Sequence, residues 1–400
     1  MKSDKTTPNV PTLRFAEFTD EWEKYELSRF VTRITRRNKN NESSLPLTIS
    51  AQYGLVDQIS FFNKTVASVD LSGYYLLYNG DFAYNKSYSN EYAWGAVKRL
   101  DKYEKGCLSS LYFVFRPNDN VDSDYLTHYF ESSKWHKGIS NIAGEGARNH
   151  GLLNMAVDDY FATKHYLPSL PEQKKIARFF NAITKRIEIQ NKIIEDLKVL
   201  KKELCNDHFK SVLHDASLRY ITLKEILTER KEYCSKDGTY THGTLSKEGV
   251  APKTERYDRD FLVKNEDKQY KVTHLNDICY NPANLKFGVI CRNTYGDLIF
   301  SPIYVTFEIS DNVYPAYIEL FLTNPNFIGR IRRYEQGTVY ERMAVSPEDF
   351  LSYETHIPAY EEQVEFANEM QCIQRKIELE TAFLSSLQRQ RKYLLNAIFI

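Results

Sequence analysis

Four hundred residues suffice for two or three domains, and a hydrophobic fraction of 42% with 26% charged residues is typical of a globular protein. Lys and Arg (53 together) balance Asp and Glu (53), so a nucleic-acid partner would require the positive charge to gather on one face. Six cysteines without a CxxC pair, and the lack of any run of ~18 apolar residues, exclude a zinc framework and a membrane span and predict a cytoplasmic protein with reduced thiols.

The predicted elements follow one another as a domain, a helix, a second domain and a second helix. An N-terminal extension (1–20) without periodicity, as in a disordered tail, precedes the first domain (21–170). This domain contains the strand-like runs "YYLLY" and "LYFVF". A long helix (171–214) leads to the second domain (215–358), with the strand-like runs "QYKVTHL" and "IYVTF", and a second long helix (359–400) follows.

The two halves of the chain resemble each other. The segment "LPSLPEQKKIARFFNAITKRIE" (Leu167–Glu188) has a near-copy, "IPAYEEQVEFANEMQCIQRKIE" (Ile357–Glu378), at a shift of 190 residues. Upstream, "GDFAYN" matches "NDICYN" and "LSSLYFVF" matches "FSPIYVTF" at similar shifts. These collinear matches predict a tandem duplication of one domain and one helix.

Both helices carry the same apolar stripe, whose members are separated by alternating steps of four and three residues, as at the a and d positions of a coiled coil. The stripes consist of Ile176, Phe180, Ile183, Ile187, Ile194, Leu197 and Leu204, and of Phe366, Met370, Ile373, Ile377, Leu384, Leu387 and Leu394. One stripe alone indicates a helix packed on its own domain, but two in register favour an antiparallel coiled coil.

Polar residues interrupt the two stripes at equivalent positions. A pseudo-twofold axis between Ile194 and Leu197 would place Lys201 opposite Glu380 and Gln190 opposite Arg391, so that buried polar groups pair. The expected fold class is therefore α+β, with two mixed α/β domains joined by two long helices that form an antiparallel coiled coil in a pseudo-twofold tandem repeat.

The chain resembles the specificity (S) subunit of a type I restriction–modification system. The resemblance rests on "NVPTLRF", on the two helix starts "LPSLPEQKKIARFF" and "IPAYEEQVEFANEM", and on the duplication, and it covers essentially the whole chain. It implies two target-recognition domains that read a bipartite, asymmetric DNA sequence, with the paired helices as a spacer.

The resemblance also implies partners. They are double-stranded DNA, two methyltransferase (M) subunits and, in the cleavage-competent complex, two restriction/translocase (R) subunits in the prokaryotic cytosol. S-adenosylmethionine, ATP and magnesium are expected on the partner subunits, and no cofactor, metal or catalytic residue is expected in this chain.

The sequence contains no motif that contradicts a non-catalytic role. It has no GxxxxGK[ST] loop for nucleotide phosphates and no HExxH pair for zinc. The run "NPAN" (Asn281–Asn284) lacks the second proline and the aromatic residue of adenine methyltransferase motifs and is interpreted as a loop. An alternative function is that of a protein scaffold whose duplicated domains bind proteins and not DNA.

Candidate DNA contacts are polar or basic residues on turns, where they can reach base edges or phosphates. A β-turn or a solvated surface explains each of them equally well. They are Arg33, Arg36, Arg37, Gln52, Tyr53, Lys86, Ser87, Arg148, Asn149, Lys247, Asn284, Lys286, Gln336, Tyr340 and Arg342, with further basic side chains at Arg29, Arg330, Arg332 and Arg333. Gln52 suits adenine, and Lys247 suits guanine or a phosphate.

Overall fold

A computed structural model describes residues 9–64, 66–88, 92–144, 151–235, 239–247, 249–253, 269–336 and 343–400. The chain divides into two compact units. The first unit is Met1–Asn191 with Ala382–Ile400, and the second unit is Lys192–Thr381. In the described ranges, no helix has both the length and the apolar composition needed to cross a membrane.

The first unit contains short strands, short helices and the start of a long helix. Its strands are β1 (Glu23–Glu26), β2 (Val31–Arg33), β3 (Pro46–Ser50), β4 (Gly54–Asp57), β5 (Tyr75–Tyr78), β6 (Phe82–Asn85), β7 (Ala96–Arg99), β8 (Lys105–Leu108), β9 (Phe113–Pro117) and β10 (Lys164–Leu167). Its helices are α1 (Gln58–Phe62), α2 (Ser123–Glu131), α3 (His136–Ile142), α4 (Val157–Phe161) and the beginning of α5 (Leu170–His214).

These strands form two four-stranded sheets and one two-stranded ladder. The sheet orders are β2-β9-β6-β7 and β4-β3-β8-β5, and in the second sheet β3 runs parallel to β8. The ladder pairs β1 with β10 and so joins the two ends of the domain. Aromatic residues fill the core, where the rings of Tyr84 and Tyr160 stack with centroids 4.8 Å apart and Trp135 meets Tyr84 edge-on.

The second unit contains the remaining strands, three short helices and the start of the last helix. Its strands are β11 (Arg219–Thr222), β12 (Leu227–Glu229), β13 (Tyr233–Cys234), β14 (Thr241–Ser246), β15 (Gly249–Pro252), β16 (Tyr270–Thr273), β17 (Ile278–Tyr280), β18 (Ile290–Arg292), β19 (Leu298–Phe300), β20 (Val305–Ile309) and β21 (Glu354–Ile357). Its helices are α6 (Pro315–Leu322), α7 (Pro325–Ile331), α8 (Pro347–Leu351) and the beginning of α9 (Tyr360–Ile398).

The sheets of the second unit have the same order as those of the first. The orders are β12-β20-β17-β18 and β13-β16-β19-β14-β15, with β14 parallel to β19 and a ladder of β11 with β21. Among the described strands of the second unit, β13 alone has no counterpart in the first unit. The likeness of the two sequence halves therefore extends to the topology of the two units.

The N-terminal extension packs on the first unit, although its sequence has no periodicity. The Leu13 amide donates to the Ala397 carbonyl, and the Phe15 ring meets Phe179 edge-on. Arg14 forms a bidentate ion pair with the buried carboxylate of Glu172, with both N–O distances 2.7 Å. These contacts hold residues 9–20 in place, where the sequence alone suggests a disordered tail.

The end of each long helix contributes a buried phenylalanine to a domain core. In the first unit, Phe399 follows α9 and packs against Phe180 and Tyr125, with ring centroids 5.7 and 5.4 Å away. In the second unit, Phe209 of α5 packs against Tyr317 at 5.5 Å. Phe209 and Phe399 are equivalent at the shift of 190, so each unit uses the end of a helix in the same way.

The apolar stripes lie on the less exposed side of both helices, with one correction. Leu204, assigned to the stripe, is 39% exposed, while Cys205 beside it is buried. The equivalent step occurs in α9, where Leu395 is more deeply buried than Leu394. A straight helix drifts by about 20° per heptad relative to a 3.5-residue repeat, so the buried position advances by one residue toward the helix end.

In the second unit, the contacts between α5 and α9 differ from the expected register. The His208 ring stacks on the Phe366 ring, with centroids 3.7 Å apart. The predicted axis instead places Ile373, seven residues further along α9, opposite His208. Lys201 donates to Gln374 at 2.9 Å and not to Glu380, which pairs with Lys376 of its own helix. The shift is about one heptad, so the apolar face is kept while the partners change.

A glutamine near the start of each long helix binds the domain before it. The side-chain amide of Gln173 accepts from the backbone N–H of Asp122 at 2.8 Å and donates to the backbone carbonyl of Pro168 at 2.9 Å. Gln363 makes the same two contacts, with Tyr314 and Pro358, at 3.0 and 2.9 Å. Both glutamines are buried. They are more than residues that suit a helix start, since they tie the helix to the domain.

We expect Gln173→Ala to lower the free energy of unfolding by about 1–3 kcal/mol, because two buried backbone groups lose their partner. Gln363→Ala should cost a similar amount, since its contacts are equivalent. Urea denaturation measures both changes. The control is Lys174→Ala at an exposed neighbour, expected within about 0.5 kcal/mol of the parent. An equally small loss for the glutamines would show that these contacts are dispensable.

Candidate nucleic-acid interface

The first unit presents two of the candidate residues at the tip of a hairpin. β3 and β4 pair from Leu47–Asp57 to Ser50–Gly54, and the turn between them contains Gln52 and Tyr53. The Ser50 hydroxyl accepts from the Tyr53 amide at 3.1 Å, and Gly54 has a φ of +82°, which closes the turn. Gln52 is exposed, Tyr53 is 56% exposed, and the Gln52 amide has no hydrogen-bond partner among the described residues.

The second unit has a hairpin at the equivalent place. β14 and β15 pair up to Ser246–Gly249, so a serine and a glycine flank this turn as well. The exposed Lys247 lies in the turn, and residue 248 lies outside the described part of the chain. The two tips therefore offer different groups, a neutral amide and a cation, from the same position of the same sheet.

The polar loops after β6 and β17 hold their candidate residues more tightly. The Lys86 ammonium lies 4.9 Å from the Phe113 ring, and Ser87 forms a β-bridge with Leu152. In the second unit, the Asn284 carbonyl accepts from the Phe287 amide at 3.0 Å. Lys286 lies 5.4 Å from the Phe287 ring, which is 57% exposed. Of these candidates, Ser87 alone is exposed.

Two of the arginine candidates are engaged within the first unit. The Arg36 guanidinium pairs with the buried carboxylate of Asp81 at 2.9 Å and lies over the Tyr78 ring at 4.2 Å. Arg37 donates to the Gly73 carbonyl and lies 4.3 Å from the Tyr75 ring. A phosphate contact by Arg36 would compete with its ion pair. Arg33 is freer, since it is 42% exposed and lies 3.8 Å from an exposed Asp158 carboxylate.

The buried carboxylate has a counterpart in the second unit. Asp277 is 3% exposed and accepts from Arg230 at 2.8 and 2.9 Å. Its carboxylate also accepts from the His274 amide, as Asp81 does from the Tyr78 amide, both at 2.8 Å. Each unit therefore satisfies one buried aspartate with arginine, and in the first unit Arg116 also donates to Asp81, at 2.6 Å. This pairing is structural, and sequence composition cannot separate it from a phosphate-binding cluster.

The last group of candidates is partly described. Gln336 donates to the Asp349 carboxylate at 2.9 Å, and Arg332 lies 3.8 Å from Glu335. Arg330 lines a cavity of about 200 Å³ together with Lys210. The candidates Arg148, Asn149, Tyr340 and Arg342 lie outside the described residues.

Two of the histidines with shifted pKa values, His165 and His208, pack among core residues. Burial lowers the pKa of His165 to about 4, and the Tyr129 and Thr163 hydroxyls each lie 2.8 Å from one of its ring nitrogens. Burial also lowers the pKa of His208 to about 4. Their partners are core residues, which indicates a structural role. Across the ranges that the structure describes, no three His, Cys, Asp or Glu residues are grouped to hold a metal ion.

A charged cluster that sequence reasoning missed surrounds Arg391 in the first unit. Arg391 donates to Glu131, and the Lys98 ammonium lies 3.6 Å from the same carboxylate. Burial alone would raise the pKa of Glu131, but the hydrogen bond with His128 and the charges of Arg391 and Lys98 outweigh it and lower the pKa to about 2. From the sequence, Arg391 appeared only as an interruption of the apolar stripe.

Residues 22–199 match the family of the type I restriction modification DNA specificity domain. No curated protein matches the chain.

Solved structures share the fold over almost the whole chain. The HsdS subunit from Thermoanaerobacter tengcongensis is 14% identical, with 96% of this chain and 99% of that chain covered and a TM-score of 0.50. A structure described as underlying complex assembly and conformational transition of the type I R-M system is 15% identical, with 95% of this chain and 98% of that chain covered and a TM-score of 0.56. The type I restriction-modification system S subunit from M. genitalium is 15% identical, with 98% of this chain and 99% of that chain covered and a TM-score of 0.51. At sequence identities of 14–15%, these comparisons show a shared fold.

Proposed function

We propose, from the match of residues 22–199 to the type I restriction modification DNA specificity domain, that the chain is the DNA sequence-recognition subunit of a type I restriction–modification complex. In this proposal, the chain reads a bipartite, asymmetric target, one half with each unit. It has no catalytic role of its own and brings the methyltransferase and restriction subunits together at the target.

The observation that carries this proposal is the equivalence of the two hairpin tips. Both units place an exposed polar side chain on the turn that follows the parallel strand of the second sheet, Gln52 in one and Lys247 in the other. A glutamine amide can pair with the N6 and N7 edge of adenine, and a lysine with guanine or a phosphate. Equivalent positions with different chemistry suit two half-sites of different sequence.

The spacer in this proposal is an antiparallel coiled coil of α5 and α9. Within the first unit, Phe180 stacks on Phe399, and the Arg186 guanidinium lies 5.3 Å from the Phe383 ring. Within the second unit, Lys201 contacts Gln374, and His208 contacts Phe366. In both cases residue numbers rise along one helix as they fall along the other, which supports antiparallel pairing.

The proposed partners are double-stranded DNA, two methyltransferase subunits and, for cleavage, two restriction/translocase subunits in the prokaryotic cytosol. S-adenosylmethionine, ATP and magnesium would bind to those partners and not to this chain. Two units of the same topology offer the same surfaces twice, which suits two copies of one partner.

A scaffold that binds only proteins is the alternative function. The hairpin tips distinguish the two, because a scaffold has no use for groups that match base edges. If the chain were such a scaffold, the purified chain assembled with its methyltransferase subunits would show no preference among DNA sequences.

We expect Gln52→Ala to relax the target at one position of one half-site and to weaken binding of the matching DNA by about 1–3 kcal/mol, or 5- to 150-fold. Lys247→Ala should act on the other half-site. Sequencing of the methylated motif, with and without each variant, measures the change. Tyr295→Ala is the control, since its side chain is 57% exposed and remote in sequence from both turns. Unchanged motifs in both variants would rule out these turns as the readers.

A further inference from the structure

A cavity of about 560 Å³ opens beside the hairpin tip of the first unit. Gln52 lies on its wall, together with Lys98 of β7, Glu131 at the end of α2 and the last turns of α9, which contribute Arg391 and Lys392. The C-terminal helix and the turn that is proposed to read bases therefore line the same cavity. All residues that line this cavity belong to the first unit.

The charge of the cavity favours an anion. Three cations, Lys98, Arg391 and Lys392, line the cavity together with one carboxylate, Glu131, which pairs with both Lys98 and Arg391, so these four side chains carry a net charge of two positive units. Glu131 stays ionised, because its pKa is lowered to about 2. Burial lowers the pKa of His136, which also lines the cavity, so this ring is neutral at pH 7.

An unused donor adds to the case for a bound acceptor. The Nε–H of Arg391 is buried and has no hydrogen-bond partner among the described residues, although the same guanidinium donates to Glu131 through Nη2. Buried donors are almost always paired, so the unpaired Nε–H leaves Arg391 with hydrogen-bonding capacity that its present contacts do not use. Water cannot reach this nitrogen, so the guanidinium must turn toward the cavity before a phosphate oxygen can accept from it.

We propose that this cavity takes one backbone phosphate of the DNA whose base edge Gln52 contacts. The inference rests on the proposed function, because the phosphates next to a base are within reach of side chains around the contact to its edge. It gives the end of α9 a direct part in binding by the first unit. Lys392, which is exposed and has no ion-pair partner among the described residues, would contact the phosphate from the solvent side.

The test is Lys392→Gln in the full chain, with Arg389→Gln as the matched control. Both residues are exposed cations of α9, and Arg389 does not line the cavity. Affinity is measured against salt concentration, for a duplex with the motif that the methyltransferase complex modifies and for an unrelated duplex of the same length.

We expect Lys392→Gln to weaken binding of both duplexes about three- to tenfold and to reduce the slope of log K against log salt by about 0.9, while Arg389→Gln leaves the slope unchanged. Equal effects of the two variants, or an unchanged slope in Lys392→Gln, would overturn the phosphate site and leave the proposed function intact. A parent chain with no preference for its motif would instead overturn the proposed function. Loss of a protein partner without loss of DNA affinity would assign the cavity to an acidic protein segment.

Discussion

Replacement of Phe399 by alanine is expected to lower the free energy of unfolding of the first unit by about 3–5 kcal/mol. The ring is fully buried and packs against Phe180, Tyr125 and Tyr129, with centroids 5.4 to 5.7 Å away. Its removal leaves a cavity among aromatic rings that cannot close without moving α2. Calorimetry or urea denaturation measures the loss, and hydrogen exchange shows which amides lose protection.

The equivalent change, Phe209→Ala, is expected to act on the second unit. Phe209 is 7% exposed and packs against Tyr317, Phe321 and Phe366, with centroids 5.4 to 5.8 Å away. We expect a loss of about 3–4 kcal/mol, with the fall in protection centred on α6. Tyr393→Ala is the control, because this ring is 66% exposed. If Phe399→Ala reduced protection only in the second unit, the assignment of the chain end to the first core would be wrong.

The repeat in the sequence anticipates much of this arrangement. A shift of 190 residues aligns Phe209 with Phe399 and Gln173 with Gln363, and both pairs make equivalent contacts. The sequence does not reveal what the glutamines bind. Gln173 contacts a backbone amide 51 residues away, and no local pattern encodes such a tertiary partner.

The pairing register shows a second limit of sequence reasoning. A heptad repeat determines which residues face inward, but any shift by seven residues keeps the same face. The stacking of His208 on Phe366 shows which register the second unit adopts, and the heptad repeat alone does not specify it. For the same reason, the sequence predicts the apolar stripe but not the partners of Lys201 or Arg391.

Clusters of basic residues show a third limit. Arg36 and Arg37 follow Arg33 closely, as a phosphate-binding group would, yet Arg36 satisfies the buried Asp81. Arg14 likewise lies in an extension without periodicity and satisfies Glu172. Buried carboxylates require such partners, and their burial cannot be read from a single sequence. Gln52 and Lys247 escape this difficulty, because turns at the tip of a hairpin face the solvent whatever the core contains.

Insertion of one heptad into each long helix is the prediction with the largest expected effect on function. Asn191 and Thr381 are equivalent at the shift of 190 and lie where the two units divide. Seven added residues after each would lengthen α5 and α9 by about 10 Å while the apolar faces are kept. If the helices measure the distance between half-sites, the gap should grow by about three base pairs, at ~3.4 Å each, and both half-sites should keep their sequence.

The controls separate distance from folding. Seven residues added to α5 alone should disrupt the pairing, because one helix then has an unmatched heptad, and methylation should fall without a new motif. Four residues in each helix add only about 6 Å and turn the apolar faces on either side of the insertion by about 40° relative to one another, so that variant should be less stable than the seven-residue variant. The readout is the methylated motif in cells, together with binding to duplexes whose gaps differ by single base pairs. A folded seven-residue variant that still modifies the original motif would show that the units find their half-sites independently, since a rigid spacer cannot accommodate 10 Å without a change in the gap.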